Sequence, residues 1–557
     1  MLRRFSAIAI LLFALAVAPR GIAAQKDAVA RDAAISVLME EIDSVNVKHA
    51  LQSRELEEIK KRVAELQELL QKSVEETRAK VDAEIETYRN ALKTSQARLD
   101  ELESRQTLKG RKLPWLIPML EFRLRTMYDK NRTDTDSSRG DSDFFIQQRL
   151  RVGLTFQPWK NVQGVAILQD SREWAEEKTT TSNQHSLDLF HGYMLFEDIA
   201  GSGVWLQGGR FSMKYGSGRQ VSLSDFHNVG QVFDGIRIGF KRPKFFQADA
   251  FAVLYKNGFA PVFQPWGQDR YSIFSGLYLS CDASSYIDAE LYGFYQDNGF
   301  VEQTEKIGTV GARLVARPVK GLLVEGEASV QFGKVTIRDE SAQLKEASHV
   351  ATAYFLQAKY SAPVKTSPWI GMFVFSGSGD ANPFDSKDVS YRPLFPHAKG
   401  NMGNMGLFRW QGVWDIGPSI GLLPVESLKL SADYHFYSLT SDGGNLQAFD
   451  AYLARSTDTS SSSLTNRVLN VPAGGSRFLG HELDIEVLWK PMDILSFGLG
   501  YSFFMAGAAT RRSQVLSVGD RKETVGAVDV TTPYWRRDYR MGGDTAHRFW
   551  LEATLSL

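Results

Sequence analysis

A period of two that sets in near residue 118 and persists to residue 557 constrains this chain more than any other feature. Between Phe233 and Phe240, Ile236, Ile238 and Phe240 alternate with Gly235, Arg237 and Gly239. Such a strand has one apolar side and one small or charged side. Ile146, Leu150, Val152 and Leu154 likewise oppose Gln147, Arg149, Arg151 and Thr155, and Phe122 and Leu124 alternate with Glu121, Arg123 and Arg125. Val310, Ala312 and Leu314 oppose Thr309, Gly311 and Arg313, while Val324, Ala328 and Val330 oppose Glu325, Glu327 and Gln331. Late in the chain, Leu483, Ile485 and Val487 oppose Glu482, Asp484 and Glu486. One such strand would fit a soluble sandwich. Charge that keeps to one side throughout, with aromatic residues recurring at strand ends, fits an antiparallel barrel with lipid outside and water inside.

Short proline turns punctuate the pattern: Gln157-Pro158-Trp159, Arg242-Pro243-Lys244, Arg317-Pro318-Val319 and Lys490-Pro491-Met492. Proline cannot donate to a ladder, so these mark where pairing stops, on the periplasmic side. Longer polar stretches at 129–142, 174–186, 214–232, 376–403, 440–476 and 508–545 read as extracellular loops. The roughly 440 residues of 118–557, at about 24 per strand and connection, make about 18 strands, and 16 fits the spacing equally. A barrel of this size encloses a lumen rather than a packed core.

Composition narrows the class. Lys+Arg and Asp+Glu both number 65, so a nucleic-acid binder is not expected. The single Cys281 excludes an internal disulfide and a thiolate metal site. The one long apolar run, Phe5–Val17 behind Arg3 and Arg4, reads as a secretory signal peptide over 1–24 with small residues at Ala23 and Ala24. Residues 26–108 hold neither proline nor glycine, and apolar residues step by three and four: Ile35, Leu38, Ile42, Val45, then Leu56, Ile59, Val63, Leu66 and Leu70. The phase slips by a step of four at Val74 and resumes at Val81, Ile85, Tyr88 and Leu92. This arm reads as a periplasmic coiled coil, a rod of roughly 120 Å at about 1.5 Å per residue. Mixed Leu, Ile and Val on the seam point to a homotrimer, the alternative being a lone charged helix lying along another protein. Residues 109–117 are the linker, and 118–557 the barrel.

By parity, Arg123, Arg125, Arg149, Arg151, Arg237 and Arg313 face the lumen, as do Asp249, Glu290, Glu325, Glu327, Asp433, Glu482, Asp484 and Glu486. The basic residues come mostly from the first strands and the acidic ones from later strands. If the barrel closes in sequence order, opposite walls carry opposite charge. Ser431, Asp433 and His435 share a face, but no nucleophile arrangement, metal-ligand spacing or phosphate loop accompanies them. No enzyme, metal or cofactor is expected.

One excursion carries a resemblance. Arg210, Tyr215, Gly216 and Arg219, then Asn228, Phe233, Asp234 and Gly235, stand in the order of a motif of the alginate-export family of outer-membrane porins. Gln169-Asp170-Ser171-Arg172, Ser378-Gly379-Asp380-Ala381-Asn382-Pro383 and Gly480-His481-Glu482-Leu483-Asp484 also resemble that family in order. The resemblance covers most of 118–557. It implies an outer-membrane barrel of 18 strands and export of an anionic polyuronate through an arginine-rich lumen. The helical arm is extra, and the last strand ends in Leu557 rather than an aromatic residue. The acidic complement favours a water-filled diffusion channel for small or oligomeric hydrophilic solutes, anionic carbohydrate among them. The rivals are a tether joining outer membrane to cell wall through the arm, and an exporter of acidic polysaccharide docked to a periplasmic partner. Lipid of the outer membrane is the remaining expected partner.

Overall fold

The computed structural model describes residues 115–557 except 133, 176–186, 243–245, 256–271, 285, 299–304, 398–401, 447–466 and 526–527. Before residue 115 it describes scattered positions between Ser36 and Lys72. All of these are helical and exposed. The signal peptide, the seam of the coiled coil and the linker up to residue 114 lie outside the described residues.

Eighteen strands close into one antiparallel ring. The first six are β1 (Leu116–Lys130), β2 (Ser142–Trp159), β3 (Val162–Glu173), β4 (Asp188–Phe196), β5 (Val204–Phe211) and β6 (Phe233–Arg242). Then follow β7 (Phe246–Tyr255), β8 (Ser272–Ser284), β9 (Ile287–Asn298), β10 (Glu305–Ala316), β11 (Leu322–Arg338), β12 (Leu344–Ser361) and β13 (Trp369–Gly377). A two-residue β14 (Lys387–Asp388) pairs in parallel with the part of β12 that rises beyond β13. The ring continues through β15 (Val413–Val425) and β16 (Leu428–Leu439). Two short strands, β17 (Gly444–Leu446) and β18 (Arg467–Val471), precede β19 (Phe478–Met492) and β20 (Leu495–Ala506). Last come β21 (Gln514–Val525), β22 (Val528–Arg540) and β23 (Thr545–Ser556). β17, β18, β21 and β22 form a separate four-stranded sheet built from the two long connections before and after β19–β20. Of the two strand numbers that the sequence leaves open, eighteen is correct.

Neighbours in sequence pair around the whole ring, and β23 returns to β1 with Glu121 opposite Ser556 and Lys130 opposite His547. Connections alternate strictly between two ends. One end has the tight links 160–161, 243–245, 317–321, 426–427 and 493–494. The other has the excursions 174–187, 212–232, 378–412, 440–477 and 507–544. The chain enters β1 and leaves β23 at the tight-turn end.

The pleat sorts side chains as the period of two requires. Leu277, Leu291, Leu314, Val350, Leu356, Ile370 and Ile420 lie exposed on the outer wall. Their strand neighbours on the inner wall are buried or half-buried. In water such an exposed apolar band would be a liability, and in a bilayer it is the lipid-facing belt.

Two excursions from the long-loop end do not stand outside the barrel but turn into it. Segment 212–232 buries Met213, Tyr215 and Val221 against Phe211, Phe251 and Phe274 of the inner wall. Segment 378–412 buries Tyr391, Met402, Met405, Leu407 and Trp410 against Phe355, Phe375, Tyr437 and Phe504. The two meet where Ser222 N donates to Phe395 O (2.9 Å) and Phe395 N donates to Gln220 O (2.8 Å).

The β1–β23 seam generates a prediction. Arg125 is 2% exposed and donates through Nε to Glu552 of β23 at 2.8 Å. Glu552→Ala leaves that guanidinium without its carboxylate, and such a loss costs about 3 kcal/mol. Urea unfolding of the barrel in lipid vesicles is expected to show that drop, and an unchanged midpoint would remove the seam from the barrel's supports.

Candidate functional site

The lumen holds two walls of opposite charge. β1 and β2 alternate Phe122, Leu124, Leu150 and Val152 outward, which turns Arg123, Arg125, Arg149 and Arg151 inward as adjacent pairs; Arg123 lies opposite Arg149 in the register. All four are 5% exposed or less. Nine places on in the ring, β11 turns Glu325 and Glu327 inward, with Glu290 of β9 and Arg313 of β10 beside them. Arg313 Nε donates to Glu325 at 2.7 Å, and Tyr292 Oη donates to Glu327 at 2.9 Å.

Segment 212–232 crosses between these walls as a strap. Near its start Tyr215 Oη donates to Asp249 Oδ1 (2.8 Å), whose other oxygen accepts Arg237 Nη2 at 2.6 Å. Gly216 has φ +54°, and a side chain there would strike Glu290 at 2.5 Å, so a residue without Cβ sits where the strap brushes the acidic wall. Arg219 then reaches Glu325 (2.6 Å) and Glu327 (2.9 Å), with its guanidinium 3.4 Å over the Phe355 ring.

The strap's second half lies on the arginines. The Asp225 carboxylate sits 2.9 Å from Arg149 Nη2 and 3.2 Å from Arg151 Nη1. The carbonyl oxygens of Asp225, His227 and Val229 accept from Arg123 (2.6 and 3.2 Å) and Arg151 (3.2 Å), and Phe226 O accepts from Arg125. Asn228 accepts from Arg123 at 3.3 Å and donates to the carbonyls of Gln148 and Arg172, both at 3.2 Å. Burial pushes the Asp225 carboxyl up, but Arg149, Arg151 and Arg123 outweigh it and hold the group below the usual carboxylate range. Partial loss of solvent inside the barrel, followed by Arg123, Arg125 and Arg149, pushes His227 down, so it is neutral at neutral pH. The strap's edge stays wet: Leu223, Asp225, His227 and Val229 are exposed while the residues between them are half-buried.

Further round the ring, Asp415 of β15 accepts from His435 Nδ1 at 2.9 Å, and Asp484 lies 3.5 Å from His435 Nε2. Glu482 and Asp484 accept the backbone amides of Met405 and Asn404, both at 2.8 Å, pinning the second inward segment. Asp433 faces inward opposite Asp484, and Glu486 faces inward opposite Ser431. His435 is thus committed to carboxylates, not to Ser431. Among the described residues no group of three or more His, Cys, Asp or Glu could hold a metal ion.

The motif residues divide. Tyr215, Gly216, Arg219 and Asn228 belong to the strap, and Phe233 is buried where β6 begins. Arg210 and Asp234 instead pair with each other at 2.7 Å on the outer side of β5 and β6, away from the lumen. Gly235 lets β7 approach, for a Cβ there would lie 2.3 Å from Ala252 O. Sequence reasoning missed Asp225 and the carbonyl ladder, which sit in a stretch without periodicity. It also missed Arg548, which pairs with Asp129 at 2.7 Å. The parity of Phe549 and Leu551 in the last strand was a signal for that residue.

Among solved structures, OccK8 (OprE) of Pseudomonas aeruginosa aligns with 79% of this chain and 98% of its own at 12% identity and a TM-score of 0.45. Acinetobacter baumannii OccAB1 aligns over 81% and 98% at 11% identity and a TM-score of 0.46. OprD from Pseudomonas aeruginosa aligns over 79% and 94% at 12% identity and a TM-score of 0.43. Among curated proteins no sequence matches. The alginate export family model matches residues 115–522, most of the chain. The chain therefore belongs to the alginate export family, and its barrel is an outer-membrane β-barrel porin.

Proposed function

We propose that the barrel conducts hydrophilic solutes that carry carboxylates, with strap 212–232 as its constriction and the inward charges named above as its pore lining. One observation carries this reading. Arg149 and Arg151 are clamped on a carboxylate that belongs to the protein, and that carboxylate is 53% exposed to solvent. Guanidinium forks suit carboxylates by shape as well as charge. A carboxylated solute offers the arginines the same group that Asp225 offers, and exchange between the two is close to even in hydrogen bonds. The glutamate wall opposite keeps the lumen from being an anion trap. Small or oligomeric solutes, acidic sugars among them, fit this balance. Nothing in the arrangement calls for a bond to be made or broken, and the role is a conduit.

The finer parts of the reading concern residues 26–108. The helical state of the described positions between Ser36 and Lys72 favours the periplasmic coiled coil, and a trimer is the assembly proposed for it. The chain enters β1 at the tight-turn end, which is the periplasmic end of such a barrel. A link to the cell wall, or to a periplasmic export partner, would be made through that arm. Deleting 26–108 is expected to reduce trimers to monomers in mild detergent while leaving the conductance of each barrel intact. Trimers that survive the deletion would assign assembly to the barrel wall.

Two electrical measurements test the conduit. Arg149→Glu with Arg151→Glu is expected to move the reversal potential in a salt gradient toward cations, and an unmoved potential would take those residues out of the pore lining. The pH dependence follows from Asp225. Its carboxyl is lowered in the folded protein, so its tie to the arginines is fully present above the ordinary carboxylate range near pH 4 and is lost only as pH falls through the lowered value. Conductance is expected to hold steady from pH 7 to about 4 and to change below it. A transition centred at pH 5–7 would mean that Asp225 does not hold the strap.

A further inference from the structure

The lipid-facing belt is not equally tall all round the ring. On β11 the outward residues carry no charge from Val324 to Phe332, and on β12 none from Tyr360 to Val350. On β5 the uncharged stretch ends at Gly208 and on β6 at Ile236, because Arg210 and Asp234 come next on the same side. At about 3.3 Å per residue and a tilt near 40°, Val204–Gly208 makes roughly 10 Å of apolar height, against about 25 Å for a full belt. Asp170 and Arg172 of β3, and Asp188 of β4 at 3.5 Å from Arg210, carry the charged level sideways. Lipid against this sector would have to thin to about half its depth or cover ion pairs.

The same sector has the shape to take a copy of itself. A groove of about 510 Å³ runs over β2–β5, with Leu154 and Phe156 as one bank and Gly164, Ala166, Gly192 and Gly208 in its floor. A Cβ added at Gly208 would meet nothing within 4 Å among the described residues, so the groove is open there. Beside it Ile236 and Ile238 of β6 stand exposed as a ridge. Rotation about an axis along the membrane normal seats the ridge of one copy in the groove of the next, and the operation closes as a ring. Charge obeys the same rotation. Asp234 tops the ridge and Arg172 stands above the groove, and Asp234 and Asp170 are equally many residues from the tight-turn ends of β6 and β3. Asp234 of one copy thus comes level with the Asp170–Arg172 pair of the next, and Asp234 and Arg172 are each partly exposed. Five strands about 4.8 Å apart and 25 Å tall offer roughly 600 Å² a side, about 1,200 Å² in all, which meets the lower bound of a specific interface.

We propose that the outer face of β2–β6 is a contact between neighbouring copies of this chain in the bilayer, with the Ile236–Ile238 ridge of one copy seated in the glycine-floored groove of the next. Small floor residues let two walls approach closely, which is how protein surfaces associate where lipid removes the hydrophobic drive. The contact goes beyond the trimer assigned above to residues 26–108 and uses none of those residues. Its area holds copies that already lie side by side in lipid, whereas detergent competes for the same apolar face.

The test is disulfide linkage in lipid vesicles holding the full chain, with Cys281→Ser as the background. Ala166→Cys with Ile238→Cys puts one thiol in the groove and one on the ridge, on strands three places apart. That separation exceeds the roughly 7 Å between Cα atoms that a disulfide within one chain can bridge. Leu356→Cys with Ile420→Cys, on the exposed wall of β12 and β15, measures chance collision. Oxidation is expected to link the first pair at least about tenfold faster than the second, in a ladder that stops at three, because only docked copies hold the thiols within reach. A bimane label on Gly208→Cys is expected to escape brominated lipid that quenches the same label on Ile420→Cys. Heat-modifiable gel mobility confirms that each variant is folded. Linkage no faster than the control pair, or equal quenching at the two labelled sites, overturns the contact and gives the face to lipid, while trimers held by the arm in detergent would still stand. Monomers of the full chain in detergent would overturn the arm's role instead, and linkage in vesicles judges the wall by itself.

Discussion

The barrel's backbone must find all its hydrogen bonds within itself. Hydrocarbon offers no water to an unpaired amide or carbonyl, so an open sheet edge cannot sit there, and β1 has to meet β23. That single requirement propagates inward. Once the ring is closed and its apolar side chains are turned to lipid, every alternate residue is forced into the lumen, whatever its charge. Arginines and carboxylates on opposite walls are then fixed by pleat and register, and what remains free to evolve is the segment that crosses between them.

The strap meets that field by carrying counter-charges in sequence order. Arg219 comes first and meets glutamates; Asp225 comes six residues later and meets arginines. Buried guanidinium groups without partners would cost several kcal/mol each, so the strap's carboxylate and carbonyl oxygens stabilise the wall as much as the wall holds the strap. If the proposed conduit selects its solutes at the strap, selectivity and stability use the same atoms.

Much of this was legible in the sequence, and for one reason: a period of two survives in every strand whose outer face meets lipid. The inward placement of Arg149, Glu325 and Glu482 follows from parity alone. The tight turns were legible from their prolines instead: Pro318 lies in one, and Pro158 and Pro491 are the penultimate residues of the strands that lead into two others. The strand number did not follow, because strand lengths from eight residues in β5 to eighteen in β12 blur any average. The strap was visible as a motif but not as a lumen element. Its placement depends on Tyr215 finding Asp249 and on Asp225 finding Arg151, 74 residues earlier, contacts that no local pattern encodes. Arg210 and Asp234, read as part of the same motif, serve the outer rim instead.

The junction between Val221 and Phe395 ties the strap to the second inward segment. Around it Phe395 packs edge-on to Phe233, Tyr255 and Phe274, and Tyr391 donates to Gln220 at 2.9 Å. Neither segment can swing aside alone without breaking bonds that belong to the other. The pair therefore behaves as one linked shutter rather than two flaps, and the barrier to its displacement is a joint property of loops that are far apart in the chain.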